Sequence, residues 1–287
     1  MPPLDEHLPR QPRAGLRRLK KFGSYLLLTA GAFLVLFPLY MTVVSSLLTP
    51  KQYGDQPPDF WPRTPQWNSY AHAFVQGQMW HYLLNSVQQT GEIVIGATIT
   101  SVLAAYAFAS FSFPLKRVIW TLTLATLLVP FEVTIVTNFQ TVNSLHLFGS
   151  MWALSVPFMV SAFGIFLLRQ AFLGIPKEMR EAATLDGHGP VAFLWRVALP
   201  LARPQLAAFI VVATLGAWNQ YLWPLLLTSD SSANRTIQIG LKALNAGTIQ
   251  GYNVVLAGSV IAAVPMIVLM IVFNKQLVRS LTGGALK

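Results

Sequence analysis

The most informative stretch of this 287-residue chain is Pro176-Lys-Glu-Met-Arg-Glu-Ala-Ala-Thr-Leu-Asp-Gly187-His-Gly-Pro190-Val-Ala-Phe-Leu-Trp-Arg-Val-Ala-Leu-Pro200. Pro176 suits the first position of a helix, where the missing N–H of proline is no loss. Gly187 can adopt the left-handed conformation that ends a helix, and Pro190 can begin the next one. The segment therefore predicts a short helix, a sharp turn and a second short helix that ends at Pro200.

The sequence on both sides of this segment is too apolar for a water-soluble protein. Apolar residues make up 54% of the chain and charged residues only 10%, whereas a soluble domain of this size carries roughly 25% charged residues. Such a chain cannot cover itself with a hydrated surface, so lipid is its expected environment. Because backbone groups in lipid must be hydrogen-bonded within the protein, we predict an all-α integral membrane protein.

Six apolar stretches are long enough to cross a bilayer, which takes about 20 residues of helix. They are residues 25–47, 85–110, 118–138, 151–169, 206–226 and 254–274. The first stretch is longer than the roughly 7–15 apolar residues of a signal peptide, so we expect a retained helix. The predicted organisation is a basic N-terminal arm, residues 1–21, followed by one six-helix transmembrane domain, residues 22–287, whose connecting loop spans about residues 172–203.

The basic residues indicate how the chain is oriented in the membrane. Its formal net charge is +10, but the Lys and Arg residues lie between the apolar stretches and do not form one patch of the kind that binds nucleic acid. If the N-terminus is cytoplasmic, the outer side holds only Lys51, Arg63, Arg235 and Lys242. This asymmetry predicts that both termini and the 172–203 loop are cytoplasmic.

The loop segment resembles the EAA loop of bacterial ABC-importer permeases. The family pattern is Glu-Ala-Ala, three residues, Gly, nine residues, then an aliphatic residue, any residue and Leu-Pro. The matching residues are Glu181, Ala182, Ala183, Asp186, Gly187, Val197, Leu199 and Pro200. Only Val197, which stands where Ile is common, departs from the pattern. Spacing alone leaves open a second interpretation, in which two interfacial helices merely link neighbouring spans.

Shorter stretches extend the resemblance along most of the chain. Residues 37–40, 85–86, 104–109, 129–130 and 166–170 are similar to the second permease of maltose-type carbohydrate importers. Residues 131–133 and 218–226 are most similar to the permease of glycerol-3-phosphate importers. The resemblance implies the type I importer permease fold and a multi-pass location in the bacterial plasma (inner) membrane.

The resemblance also implies an assembly and a role for the loop. In the family the loop docks on cytoplasmic ATPase subunits and passes their closure to the membrane helices. Glu181 would contact the ATPase, Ala182 and Ala183 would permit tight packing, and Gly187 would form the bend. Two ATPases, a second and non-identical permease and an extracytoplasmic solute-binding protein complete the expected complex. Because the sequence contains no GxxxxGK[ST] phosphate loop, we expect ATP and Mg²⁺ on the ATPase and no cofactor on this chain.

Polar side chains within the predicted spans need an explanation, because they are costly in lipid. The candidates are Asn85, Gln89, Glu92, Glu132, Asn219 and Gln220. Either they line the translocation path, or they pair across helices, and for any one of them we favour pairing. Aromatic residues flank the last two candidates, at Trp218, Tyr221 and Trp223. These indicate an interfacial aromatic belt more than a sugar-facing surface.

Two other classes of function stay open at this point. An ion-coupled secondary transporter or channel would use Glu92 or Glu132 and would need no partner subunit. A membrane-embedded enzyme would need a catalytic group of residues, and none stands out in a chain with no cysteine and no paired metal ligands. The importer permease for a sugar or glycerol-3-phosphate-like solute is the leading hypothesis.

Overall fold

The computed structural model describes residues 14–55, 59–228, 233–246 and 251–282. These residues form helices joined by turns, and no strand occurs among them. In chain order the helices are α1 (Ala14–Leu47), α2 (Pro50–Gly54), α3 (Asn68–Ala71), α4 (Met79–Ser110), α5 (Lys116–Leu128), α6 (Phe131–Ser144), α7 (Met151–Phe158), α8 (Ala162–Leu173), α9 (Lys177–Leu185), α10 (Pro190–Leu201), α11 (Arg203–Trp218), α12 (Leu222–Leu227), α13 (Ile237–Ala246) and α14 (Tyr252–Thr282). The all-α membrane fold predicted from composition is confirmed.

Unbroken and bent helices both contribute to the membrane spans. Within the described residues, α1, α4 and α14 are each long and apolar enough to cross a bilayer alone. Three bent pairs also qualify, with angles of 106° between α5 and α6, 45° between α7 and α8, and 78° between α10 and α11. Counting each bent pair as one span gives up to six by length and composition, the number that the sequence predicts. In the third pair only α11 overlaps a predicted span, because α10 belongs to the 172–203 loop.

Three of the predicted spans are not single straight helices, and the fourth bends by 45° between α7 and α8. The third one breaks at Val129 and Pro130, where both residues have extended backbone, and the chain turns by 106°. The fifth one stops at Trp218 and resumes at Leu222. Pro224 lacks the N–H that would continue the helical ladder to residue 220. Both breaks lie within apolar stretches that are each long enough to count as one span.

Helix α4 is the centre of the bundle, and it packs against α7, α8, α11 and α13. Its contact with α8 is close because Gly164 brings no side chain to the interface. A Cβ atom added there would meet the hydroxyl oxygen of Ser101 in α4 and would lie 2.6 Å from ring atoms of Phe209 in α11. Phe209 is itself only 1% exposed. Small residues permit this kind of close helix packing within membranes.

Helix α1 lies at the edge of the bundle. The stretch Lys21–Leu47 is only 6% buried over its most apolar window, and its packing partner is α14. Leu27 and Leu34 are 76% and 75% exposed. An apolar face of this extent is stable against lipid hydrocarbon but not against water. We infer that most of α1 faces the bilayer.

The close packing at Gly164 can be tested by substitution. We expect Gly164→Ala to destabilise the protein by about 1–3 kcal/mol, because the added methyl group overpacks a filled interface. Gly91→Ala in α4 is the matched control, since nothing lies within 4 Å of the Cβ position there. The measurement is the thermal unfolding midpoint in detergent micelles. Equal midpoints for the two variants would contradict the packing of α8 on α11.

Candidate coupling loop and translocation cavity

The turn between α9 and α10 has the geometry that the sequence predicts for Gly187. The backbone φ of Gly187 is +78°. Its N–H donates to the carbonyl oxygen of Thr184 (3.0 Å), and the N–H of His188 donates to that of Ala183 (2.9 Å). These two bonds form a Schellman motif, which satisfies the last carbonyls of α9. Helix α10 then begins at Pro190, as predicted, whereas α9 begins at Lys177, one residue after Pro176.

Contacts with α4 fix the position of this helix–turn–helix segment. The hydroxyl of Tyr106 donates to the carbonyl oxygen of Pro190 (2.9 Å), and the guanidinium of Arg180 donates to the hydroxyl of Ser110 (2.7 Å). Arg180 also lies over the ring of Phe193, 5.4 Å from its centroid. A buried cluster that includes Ala183, Phe193, Tyr106 and residues of α8 lies beneath. The segment is thus held against the end of α4.

None of the described residues covers the outer surface of this segment. Glu181, Ala182, Asp186 and Gly187 are all exposed, and Leu185 is 89% exposed. The described residues therefore leave this surface open to contact with another protein.

The remaining loop residues pack more closely on the chain itself. Leu199 and Pro200 are half-buried near the end of α10. Ala183 is only 7% exposed and belongs to the cluster beneath the loop. The prediction that both alanines pack against a partner protein therefore needs correction at Ala183. Ala182 can meet a partner, whereas Ala183 lets α9 pack on its own chain.

A cavity of about 910 Å³ lies in the transmembrane part of the bundle. Its wall comes from the breaks in the bent spans and from the faces of α4 and α11 that lie beside them. The polar residues that line it are Thr126, Thr134, Asn138, Ser161 and Gln220, and the other lining residues are apolar or glycine. None of the described lining residues is charged. The cavity can therefore accept a solute that offers a few hydrogen-bonding groups and some apolar surface.

Of the six predicted path residues, only Gln220 lines this cavity. Gln89 lies behind it, 2% exposed, and donates from Nε2 to Oε1 of Gln220 (2.8 Å). Asn85 is also buried, and its Nδ2 donates to the carbonyl oxygens of Ala233 (2.7 Å) and Arg235 (2.9 Å). The structure thus brings Gln89 and Gln220 together and ties Asn85 to the segment before α13.

The two predicted glutamates and Asn219 lie apart from the cavity wall. Glu92 accepts hydrogen bonds from Gln88 (2.9 Å) and from Ser155 of α7 (2.6 Å). Glu132 is exposed in the first turn of α6, and Asn219 is exposed at the end of α11. Within the described ranges, no group of three or more His, Cys, Asp or Glu residues could hold a metal ion.

Two aromatic residues have a different role from the one that the sequence predicts. Trp218 is 4% exposed and donates from Nε1 to the carbonyl oxygen of Ala262 (3.2 Å). Trp223 is 1% exposed and donates to that of Ala153 (3.0 Å). Buried, hydrogen-bonded indoles belong neither to an interfacial belt nor to a sugar-binding surface. Both anchor the broken span to its neighbours, and only Tyr221, 41% exposed, retains a partly open ring.

Sequence reasoning missed several residues of both sites. Tyr106 and Arg180 hold the loop to α4, yet neither lies at a signature position of the motif. Thr134 and Asn138 line the cavity one turn apart on α6. Their i, i+4 spacing after Pro130 is the signal that could have identified them, because it places two polar side chains on one face of a membrane helix.

Comparison with known proteins agrees with this geometry. Residues 96–281 match the family model described as "Binding-protein-dependent transport system inner membrane component". The chain is 34% identical over 282 residues to the sn-glycerol-3-phosphate transport system permease protein UgpE of Yersinia pestis bv. Antiqua, with 93% of this chain and 98% of the relative covered. The UgpE protein of Escherichia coli O1:K1 / APEC is 33% identical over 269 residues, covering 91% and 95% of the two chains.

Solved structures share the fold. A chain of a bacterial ABC transporter involved in the import of the acidic polysaccharide alginate has a TM-score of 0.80 and 24% identity, with 93% of this chain and 99% of that chain covered. A second alginate transporter structure, in complex with an alginate pentasaccharide-bound periplasmic protein, has a TM-score of 0.66 and 16% identity, with 91% and 95% covered. On the family match and the identity to full-length permeases, this chain belongs to the inner-membrane permeases of binding-protein-dependent ABC importers.

Proposed function

We propose that this permease imports sn-glycerol-3-phosphate or a closely related phosphate ester of a small polyol. The observation that carries the proposal is the identity of 33–34% to UgpE proteins over more than nine-tenths of both chains. The cavity supports it in part, because a solute of this kind offers hydroxyl and ester oxygens to the amides in the wall.

In this proposal, the energy for transport comes from separate ATPase subunits that bind the α9–α10 loop. The exposed Glu181, Ala182 and Leu185 form the docking surface, and the turn at Gly187 holds the two helices at a fixed angle. Because the loop is bonded to α4 through Tyr106 and Arg180, a displacement of the loop displaces α4 as well. Coupling of this kind needs one structural element whose position depends both on the ATPase docking surface and on the solute cavity.

The full transporter contains three kinds of subunit besides this permease. A second, non-identical permease completes the cavity, two ATPases bind at the cytoplasmic face, and an extracytoplasmic binding protein delivers the solute. The family description, which names dependence on a binding protein, supports the last of these. The Lys and Arg asymmetry supports a cytoplasmic location for both termini and for the α9–α10 loop. In this proposal the ATPases bind ATP and Mg²⁺.

Uptake by the assembled system tests the solute. Cells that lack other routes for sn-glycerol-3-phosphate and that express this permease with its neighbouring subunits should accumulate the radiolabelled compound in an ATP-dependent manner. An excess of unlabelled sn-glycerol-3-phosphate should compete, and a maltooligosaccharide should not. Accumulation of the oligosaccharide in place of the phosphate ester would overturn the assignment and leave the permease function intact.

The bend at Gly187 provides a second prediction. We expect Gly187→Asp to reduce uptake severalfold, because Asp, although it tolerates a positive φ better than most L-residues, is less stable than Gly at φ +78° and the turn would be weakened. Gly189→Asp is the matched control, since Gly189 is also exposed but has a φ of −70° and stands at the N-cap of α10, where Asp is favoured.

Uptake is measured beside the amount of permease in the membrane for both variants. A similar loss in Gly189→Asp would attribute the effect to the added charge and not to the backbone conformation. Normal uptake by Gly187→Asp would refute the coupling role of the turn.

The exposed carboxylate of Glu181 provides a third prediction. We expect Glu181→Lys to lower uptake and the recovery of ATPase subunits with the purified permease, because a charge reversal at a docking surface weakens association by several kcal/mol. Glu178→Lys is the control, because Glu178 is exposed on the same helix one turn earlier. If both charge reversals have the same effect on co-purification, Glu181 contributes no more than Glu178 to the contact with the ATPase.

A further inference from the structure

Most hydrogen-bonding groups in the cavity wall are already occupied by the chain itself. The hydroxyl of Thr126 donates to the carbonyl oxygen of Thr123 (2.7 Å), and that of Thr134 donates to the carbonyl oxygen of Phe131 (2.9 Å). The hydroxyl oxygen of Ser161 accepts from the N–H of Gly164 and caps α8. Thr126 and Thr134 have therefore used their donors, whereas Ser161 keeps its O–H donor. The two amides of the wall keep more unused hydrogen-bonding positions than these hydroxyls do.

Of the two amides, Gln220 has more unused hydrogen-bond donors. Its carbonyl oxygen Oε1 accepts from Nε2 of Gln89 (2.8 Å), and its amino group has no acceptor among the residues that the structure describes. Because the oxygen is directed toward Gln89 in α4, the amino group of Gln220 is directed away from α4. Gln220 lines the cavity and lies in the break between α11 and α12, so this amino group is available there.

Asn138 supplies a complementary group from α6. Its Nδ2 donates to the hydroxyl oxygen of Thr134 (3.2 Å), which leaves its carbonyl oxygen Oδ1 without a donor in the described part of the chain. Asn138 lines the same cavity as Gln220. One wall therefore offers an N–H donor and a C=O acceptor on an otherwise mainly apolar surface. A hydroxyl group, which both accepts and donates, matches this pair.

From these contacts, and resting on the proposed function, we infer that Gln220 and Asn138 contact the solute during its passage and that Gln89 is a positioning residue that orients the Gln220 amide. The solute groups that this wall recognises are the hydroxyl and ester oxygens of a small polyol. No described lining residue carries a charge that could bind the phosphate group. Gln89 itself is 2% exposed and acts through Gln220.

The test uses the complete transporter, with both permeases, the ATPases and the binding protein, reconstituted in proteoliposomes. The variants are Gln220→Met, Gln89→Met, their combination and Asn138→Leu. Gln88→Met is the matched control, because Gln88 neighbours Gln89 but is exposed and bonds only to Glu92 of its own helix. Two quantities are measured with saturating sn-glycerol-3-phosphate: import rate, and solute imported per ATP hydrolysed. The thermal midpoint of each complex reports folding.

We expect Gln220→Met and Asn138→Leu each to lower the solute imported per ATP by about threefold to tenfold, the loss of one hydrogen bond, with little change in ATP hydrolysis or midpoint. Gln89→Met should give a similar or smaller loss. The combination of Gln89→Met and Gln220→Met should be no worse than Gln220→Met alone, because Gln89 acts through Gln220. Gln88→Met should match the wild type.

Three outcomes would overturn the inference. They are an unchanged ratio of solute to ATP in Gln220→Met, losses that add in the combined variant, and an equal loss in Gln88→Met. The proposed solute is judged separately, from the wild-type complex. If that complex hydrolyses ATP but imports another solute that its binding protein carries, the assignment of sn-glycerol-3-phosphate fails. The same variants, measured with that solute, then decide the role of the two amides.

Discussion

The hydrogen bonds that join α4 to its neighbours hold the rest of the structure in place. A bilayer supplies no water to polar groups, and several polar side chains on this helix bind other parts of the protein. Near its start α4 binds the segment before α13 through Asn85 and binds α7 through Glu92. At its end it binds the helices α9 and α10. One unbroken helix of 32 residues thus connects the loop to the opposite end of the bundle.

The spans around α4 are interrupted, and the interruptions coincide with the cavity. Residues at the breaks of the third, fourth and fifth spans all contribute to its wall, among them Val129, Val160 and Gln220. Irregular backbone is tolerated at membrane depth only where protein or a water-filled cavity surrounds it. The continuous helix and the broken helices therefore have different physical roles. Helix α4 maintains connections along its length, and the broken helices create space beside it.

The sequence was informative where the physical cause is local. The Schellman turn at Gly187 and the start of α10 at Pro190 depend on backbone preferences of single residues, and both were predicted correctly. The number of spans followed from composition. The burial of Trp218 and Trp223 depends on contacts between distant parts of the chain, such as the indole bond to Ala262. Such contacts leave no periodic pattern, so the expected aromatic belt was wrong.

The chemistry of the cavity wall limits what this chain can contribute to the passage of an anion. Transfer of an ionised phosphate into a wall of low polarity costs several kcal/mol unless charges or many donors compensate. The described lining residues offer amides and hydroxyls but no cation. Helices α6 and α8 begin at this wall, and the partial positive charge of a helix start offsets only part of that cost. In the proposed transporter, a phosphate ester would receive the remaining compensation from the second permease, whereas the two amides here would discriminate among hydroxyl groups.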